Sequence, residues 1–207
     1  MKSLLLGALL LAPLSLYAQN FEGIIKFNLE YEITDARIIG TDLNKELGRE
    51  ITSYYSKTKK LDRYNTGVTE LFNSSETTSR IREPNGSNLI INVATDSVSI
   101  IKISDIPTNE VILGCPLKAI LVQYSDSTST ELHYCEALKV SPSFFKNYKL
   151  SGYDQIISRI KSIPLKIYRK SILYNTIYTA VDKKEMKVDK TIFNYPKDLE
   201  WEVSPDF

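Results

Sequence analysis

The sequence predicts a mainly β protein built on one large, curved antiparallel sheet with brief helical insertions. Tyrosine, isoleucine, valine and threonine, which favour strands, are abundant, whereas alanine is scarce. Many segments alternate apolar and polar residues with a period of two, and short turns join most of them. Helix signals are confined to two short stretches, so a parallel sheet with crossover helices is not expected.

Residues 21–34 show the clearest alternation. Apolar side chains at odd positions form the predicted dry face of a strand, and polar ones at even positions face water, with Ile24 as the exception. At about 3.3 Å per residue this strand reaches roughly 40 Å, a length that favours a large curved sheet. The predicted dry-face residues are Phe21, Ile25, Phe27, Leu29, Tyr31 and Ile33.

Residues 35–50 interrupt this pattern. Asp35 and Asp42 are suited to cap helix starts, and Gly40 and Gly48 are suited to end local structure. The segment therefore predicts a short helix or an irregular excursion.

Strand-like segments then continue to the end of the domain. The predicted strands are 51–56, 61–65, 69–72, 79–82, 88–93, 97–103, 111–124, 130–140, 164–173, 175–182 and 185–189. Turn-forming residues between neighbouring segments predict hairpins over 51–65, 88–103 and 111–140.

A second helical stretch lies between Pro142 and Pro164. Tyr153, Ile156, Ile157 and Ile160 recur at helical spacing and predict a short amphipathic helix. The aromatic, proline-bearing tail after residue 192 is expected to pack on the sheet.

The first eighteen residues have the pattern of a cleavable signal peptide. Lys2 gives a positive start, residues 4–12 are apolar, and Ala18 is a small residue suited to signal peptidase. The alternative, a buried N-terminal helix, does not account for this order. We therefore predict a signal peptide at residues 1–18, cleavage after Ala18, and one β-rich domain at residues 19–207. The expected location is periplasmic or secreted, with no transmembrane anchor after cleavage.

The charge balance argues against nucleic-acid and membrane-surface partners. The chain has a net charge of +1, and Lys2 is the only charged residue before residue 19. Nucleic-acid binding needs a basic excess on one face, and attachment to anionic lipid needs a cluster of basic residues. The nearest basic run, Lys57, Lys59 and Lys60, is followed by Asp62 and is interpreted as a charged turn.

Residue types that carry catalysis or bind metals are sparse. His133 is the single histidine and lies in an alternating strand segment, and no Gly-x-Ser-x-Gly turn is present. Zinc sites need several His or Cys ligands at set spacing, which this sequence lacks. We interpret His133 as an ordinary strand residue and predict that the protein is not an enzyme and has no metal or cofactor.

Cys115 and Cys135 are the two cysteines of the chain. An even number in an exported protein favours a disulfide. Alternation places them on opposite faces of the predicted 111–140 hairpin, because Cys115 belongs to the apolar set of its arm and Cys135 does not. A bulge in one arm would bring the two into phase. The sequence leaves both a disulfide and two separate cysteines open.

Five short segments resemble a group of bacterial envelope proteins of unknown function that includes the GLPGLI family. Phe21-Glu22-Gly23-Ile24-Ile25-Lys26-Phe27 is similar to their Phe-x-Gly-x-Ile-x-Tyr start. Gly114-Cys115-Pro116-Leu117-Lys118-Ala119 is similar to Gly-Tyr-Lys-Cys-Lys-Lys-Ala, and Leu132-His133-Tyr134 lies where a Trp-Tyr pair is common. Ile163-Pro164-Leu165-Lys166-Ile167 is similar to Gly-Leu-Pro-Leu-x-Ile, and Asp189-Lys190-Thr191-Ile192-Phe193-Asn194-Tyr195-Pro196 is similar to Asp-x-x-Leu-Phe-x-Ile-Pro.

Ser162 and Ile163 replace the glycines that the GLPGLI subgroup has near its proline, so the resemblance is stronger to the wider group. The resemblance implies a LolA/LolB-like fold. In that fold an antiparallel sheet curls into an unclosed half-barrel, and short helices plug its apolar concave face. Residues 35–50 and 143–161 are then the expected plug.

The predicted function is that of an exported, non-enzymatic protein of the cell envelope. In one alternative, a hydrophobic, lipid-like small molecule binds in the half-barrel concavity, and the six dry-face residues of the first strand line one wall. In the other, the helices and tail fill the concave face, and the chain is a structural or interaction component with an envelope protein as partner. The sequence leaves both alternatives open.

Overall fold

A computed structural model describes residues 20–96 and 98–204 of this chain. The predicted mainly β fold is confirmed: one curved sheet of twelve strands, not closed into a barrel, carries a few short helices. The predicted signal peptide at residues 1–18 lies outside the described residues.

The strands are numbered in chain order. They are β1 (Gly23–Ile33), β2 (Glu50–Tyr55), β3 (Lys59–Tyr64), β4 (Thr69–Asn73), β5 (Thr78–Arg82), β6 (Asn88–Asn92), β7 (Ile100–Ile106), β8 (Val111–Ile112), β9 (Cys115–Pro116), β10 (Lys118–Tyr124), β11 (Ser129–Lys139), β12 (Ser162–Lys170), β13 (Tyr174–Glu185) and β14 (Glu202–Val203). The order in the large sheet is β14-β6-β5-β4-β3-β2-β1-β13-β12-β11-β10-β7, and β8 pairs with β9 in a separate hairpin.

The helices are short. The α-helices are α1 (Leu43–Leu47) and α2 (Tyr153–Ile160), and the 3-10 helices are Ala36–Ile38, Pro142–Phe144, Leu150–Gly152 and Lys190–Phe193. Asp35 and Asp42 cap the first two helical elements through their carboxylates, as the sequence predicts. In the part of the chain that the structure describes, no helix is both long and apolar enough to cross a membrane.

The long strand β1 lies at the centre of the sheet, between β2 and β13. Its alternation is confirmed, because Ile25, Phe27 and Leu29 are buried while the even positions between them are exposed. The dry face ends before the strand does, since Ile33 is 41% exposed.

A short chain connection requires the sheet to curl. Strands β6 and β7 are consecutive in sequence but ten positions apart in the sheet, which at about 4.8 Å per strand is roughly 48 Å on a flat surface. The eight residue steps from Asn92 to Ile100 span at most about 29 Å. The two ends of the sheet must therefore approach each other across its concave side.

The predicted 88–103 hairpin is wrong, because β6 pairs with β5 and β14, whereas β7 pairs with β10. Turn-forming residues between two alternating segments indicate a change of direction, but they do not determine which strand becomes the neighbour. The β10–β11 hairpin is confirmed over residues 118–134, with a turn closed by the Tyr124 amide donating to the Thr128 carbonyl.

Cys115 and Cys135 form a disulfide, with their Cα atoms 6.0 Å apart. The predicted first arm is not continuous: Leu113 and Gly114 adopt positive φ angles of 51° and 74°, and Cys115 lies in the small β8–β9 hairpin. Two features remove the phase conflict: Cys115 is not part of β10, and the register of β11 against β12 shifts between His133 and Tyr134, beside Cys135.

The segment from Pro142 to Ile160 packs against the concave face. Phe145 stacks on Phe72 of β4 with ring centroids 5.9 Å apart, and Tyr148 meets Phe72 edge to face at 5.0 Å. The predicted apolar stripe of α2 is confirmed, because Ile156, Ile157 and Ile160 are buried. This segment is the plug of the sheet.

The convex face carries a second, smaller core. Leu61 and Leu71 point outward from β3 and β4, and Val188 and Phe193 of the tail bury them. The hydroxyls of Tyr195 and Thr69 lie 2.8 Å apart, and β14 adds a parallel strand to β6. The tail therefore packs on the sheet, as expected, but on its outer side.

We predict that replacing both cysteines (Cys115→Ala with Cys135→Ala) lowers the free energy of unfolding by about 3 kcal/mol. The disulfide closes a loop with a sequence separation of 20 residues, and losing this constraint favours the unfolded chain. Urea denaturation with and without dithiothreitol measures the loss. The wild type should lose stability in reductant and the double variant should not; equal stability of both proteins in oxidising buffer would contradict the prediction.

Candidate functional site

A cavity of about 820 Å³ lies between the concave face and the plug. This volume is in the range of small-molecule sites. Its walls come from β1–β4 on one side, from β12 and β13 on the other, and from the plug and the β6–β7 connection across the opening between them.

Part of the wall is apolar. Aromatic rings and branched aliphatic side chains are contributed by the sheet and by the plug, and such surfaces favour hydrocarbon over water. The principal apolar lining residues are Phe27, Ile51, Phe72, Phe145, Ile163 and Ile167.

Two charged side chains of strand β3 point into this cavity. Lys60 and Asp62 line it and form an ion pair, while Leu61 between them points to the convex core. Ser53, directly opposite Asp62 on β2, donates a 2.6 Å hydrogen bond to the Asp62 carboxylate. Both charges are largely buried, with 23% and 10% of their side-chain surfaces exposed, so each depends on the other for compensation.

Burial and pairing act in opposite directions on Lys60. Burial lowers the pKa of its ammonium group, but the Asp62 carboxylate and the nearby Tyr55 phenol outweigh burial and raise this pKa well above its ordinary value. Lys60 is therefore a fixed cation at neutral pH.

Glu70 of β4 lies beside this pair. One of its carboxylate oxygens accepts hydrogen bonds from the Ser79 hydroxyl at 2.9 Å and the Tyr148 hydroxyl at 3.2 Å. Burial raises the pKa of Glu70, an effect that Lys60 only partly offsets. The strands β3 and β4 thus carry a satisfied polar network that ties the plug to the sheet.

Tyrosines supply most of the remaining polar lining. Burial raises the pKa of each of these phenols, so they are neutral hydrogen-bonding groups at any physiological pH. They are Tyr55, Tyr64, Tyr148, Tyr153 and Tyr178.

Arg169 of β12 lies on the opposite wall. It lines the cavity and has a large accessible surface, yet burial among protein atoms is the leading influence on its pKa. Burial acts to lower the pKa of the guanidinium, and the phenols of Tyr178 and Tyr124 help to raise it overall.

The six predicted dry-face residues of β1 do not form a wall of the cavity together. Phe27 lines the cavity; Phe21, Ile25 and Leu29 are buried in the main core. Tyr31 is partly buried against that core, and Ile33 is exposed. The apolar wall comes mainly from other strands and from the plug.

The first expected plug segment also lies elsewhere. Leu43 is the one buried residue of α1, and the Ala36–Ile38 turn has none. No residue of the 35–50 segment lines the cavity. The plug consists of the second expected segment.

The charged lining residues were missed by sequence analysis. Lys60, interpreted as part of a charged turn, instead belongs to β3, and Asp62, which lies in the predicted strand 61–65, points inward beside it. Arg169 could have been identified from the sequence. On β12 it follows Ile163, Leu165 and Ile167 at the same two-residue spacing, so it lies on the same face as these apolar residues. An arginine in phase with a buried apolar set is a candidate for an inward-facing charge.

His133 lies in a polar cluster away from the cavity. Its Nδ1 is 3.0 Å from the Glu110 carboxylate and 3.5 Å from the Thr108 hydroxyl, and Glu110 also pairs with Lys166. These contacts hold the 107–117 segment against β11 and β12. The contacts of this cluster therefore connect three parts of the fold.

No protein-family model and no curated protein sequence matches this chain. Across residues 20–96 and 98–204, no three His, Cys, Asp or Glu side chains are grouped so as to hold a metal ion.

We predict that Asp62→Asn destabilises the protein by about 3 kcal/mol, because it leaves the Lys60 ammonium without its counter-charge. The matched control is Asp105→Asn, which breaks an exposed pair with Arg159 and should cost less than about 1 kcal/mol. Urea denaturation of both variants at pH 7 measures the difference, and similar losses would contradict the prediction.

We predict that Glu70→Gln stabilises the protein at pH 7–8. The ordinary pKa of this carboxyl is 4.5 and the folded pKa is higher, so the unfolded chain binds fewer protons between the two values and stability falls as pH rises there. Glutamine keeps an oxygen for Ser79 and Tyr148 but does not titrate.

The free energy of unfolding should be measured from pH 4 to pH 8. Above about pH 4.5 it should depend less on pH in Glu70→Gln than in the wild type. Glu50→Gln, at an exposed position of β2, is the control and should follow the wild type. A Glu70→Gln curve parallel to that of the wild type would refute the prediction.

Proposed function

We propose that this chain is an exported, non-enzymatic protein of the cell envelope that binds an amphipathic, lipid-like molecule in the cavity on its concave face. The observation that carries this proposal is the cavity of about 820 Å³ between the sheet and its plug. A protein whose concave face served only as its own core would be expected to fill this space, because protein interiors are close-packed.

The composition of the walls supports an amphipathic ligand. Apolar rings and aliphatic chains such as Phe72 and Ile167 offer a surface for hydrocarbon, and a few charged groups project into the same space. Cavities that bind small molecules commonly combine a mostly apolar lining with a few placed polar groups.

Two further observations support the proposed location and class. The Cys115–Cys135 disulfide is typical of proteins outside the reducing cytoplasm. An open curved sheet with a helical plug is also the arrangement that the resemblance to LolA/LolB-like envelope proteins implies, and we extend that resemblance to a carrier or binding role.

The direct test is to purify the protein from its native compartment without detergent and to analyse organic extracts by mass spectrometry. We expect a stoichiometric amphipathic molecule. N-phenyl-1-naphthylamine, an uncharged fluorescent probe, should also bind to the delipidated protein.

The cavity variant Ile167→Trp should weaken binding of this probe by about tenfold or more, because the larger side chain occupies cavity space. Ile101→Trp is the matched control, since Ile101 is 70% exposed on β7. Circular dichroism checks that both variants fold. Absence of any extracted ligand together with absence of probe binding would overturn the proposal and favour the alternative role as a protein-interaction component.

A further inference from the structure

Arg169 is the one charged residue lining the cavity whose side chain has neither an ion-pair nor a hydrogen-bond partner within the described residues. On β12 it lies between Thr130 of β11 and Thr176 of β13, which are uncharged. Tyr178, two residues beyond Thr176 on β13, lines the same wall.

An arginine without a partner cannot become neutral by losing its proton. Its guanidinium stays charged in proteins, and because Arg169 keeps a large accessible surface on the cavity wall, its donors are open to a ligand. Lys60, the other cation of the cavity, is compensated by Asp62. Arg169 therefore retains five donor groups for which the described protein supplies no acceptor.

The carboxylates of the cavity are engaged elsewhere. Asp62 is bound by Lys60 and Ser53, and Glu70 by Ser79 and Tyr148. They lie on β3 and β4, on the wall opposite β12.

A third carboxylate, Asp96, accepts the amide of Val98 at 3.0 Å. It forms no ion pair with Arg169 among the described contacts. No acidic side chain of the lining therefore occupies the position of a counter-ion to this arginine.

Neutral phenol groups line the cavity together with Arg169 instead. Tyr64 and Tyr178 line the cavity, help to raise the pKa of Arg169, and have hydroxyls with no hydrogen-bond partner in the described part of the chain. A guanidinium beside free phenol hydroxyls is a set of donors that matches a carboxylate or phosphate group.

We propose that Arg169, with Tyr64 and Tyr178, binds the oxyanion head of the ligand, so that the ligand is an anionic amphiphile with a terminal carboxylate or phosphate. Its hydrocarbon part lies against Phe72, Phe145 and Ile167. This inference rests on the proposed function, because it specifies the chemical class of the molecule in the same cavity.

The test compares ligands that share one hydrocarbon chain. Oleate, oleoyl lysophosphatidate and oleyl alcohol each compete with N-phenyl-1-naphthylamine on the delipidated wild type. We expect the two anions to bind about 10- to 100-fold more tightly than the alcohol, the range of a charge-assisted hydrogen-bonded pair. Oleate and lysophosphatidate distinguish a carboxylate head from a phosphate head.

The variant Arg169→Gln should weaken binding of the two anions more than binding of oleyl alcohol and so remove this preference. Arg82→Gln, at an exposed position of β5, is the matched control and should retain the wild-type preference. Tyr178→Phe, which removes one hydroxyl and keeps the ring, should reduce the preference in part.

The outcomes separate this inference from the proposed function. If the uncharged probe binds but oleate and oleyl alcohol compete equally, or if Arg169→Gln keeps the preference, the assignment of Arg169 fails and the binding role stands. If the probe does not bind and no ligand is extracted, the proposed function fails. Acetate and inorganic phosphate should not displace the probe at the concentrations at which the amphiphiles do; equal potency would overturn the amphipathic class.

Discussion

The length of the connection between β6 and β7 constrains the whole molecule. Eight residue steps must join strands that are ten positions apart in the sheet, and only a strongly curled sheet permits this. Curling creates a concave side whose opposite walls, β2–β4 and β12–β13, face each other. The plug occupies part of the space between them, and the cavity is the remainder.

The two walls of the cavity differ in how their charges are compensated. One wall carries paired charges, and the other carries an unpaired cation. On β3 and β4 each charge that lines the cavity is paired or hydrogen-bonded, as in the Lys60–Asp62 pair and the contact of Glu70 with Tyr148 of the plug. These contacts stabilise the protein without a ligand. On β12 the Arg169 guanidinium has no such partner, so the protein itself leaves an electrostatic position for another molecule to fill.

Sequence analysis predicted local features well and non-local pairing poorly. Alternation located β1, and helical spacing located α2, because each signal depends on neighbours along the chain. The partner of β7 lies on β10 instead of the adjacent β6, a choice set by curvature of the entire sheet. The phase of Cys115 depended on two residues with positive φ, Leu113 and Gly114, of which only the glycine signals a break in sequence.

Sequence analysis did not identify the charged residues of the cavity for a related reason. Alternation shows that a strand has two different faces, but it does not show which face is turned to the concave side. On β1 the apolar set faces the main core, whereas on β3 the apolar Leu61 faces outward to Val188 and Phe193 of the tail. Because the tail provides a second apolar core on the convex side, β3 can turn Lys60 and Asp62 inward. The outer position of the tail is thus what allows a polar interior, and hence a cavity able to hold the head of an amphiphile as well as its chain.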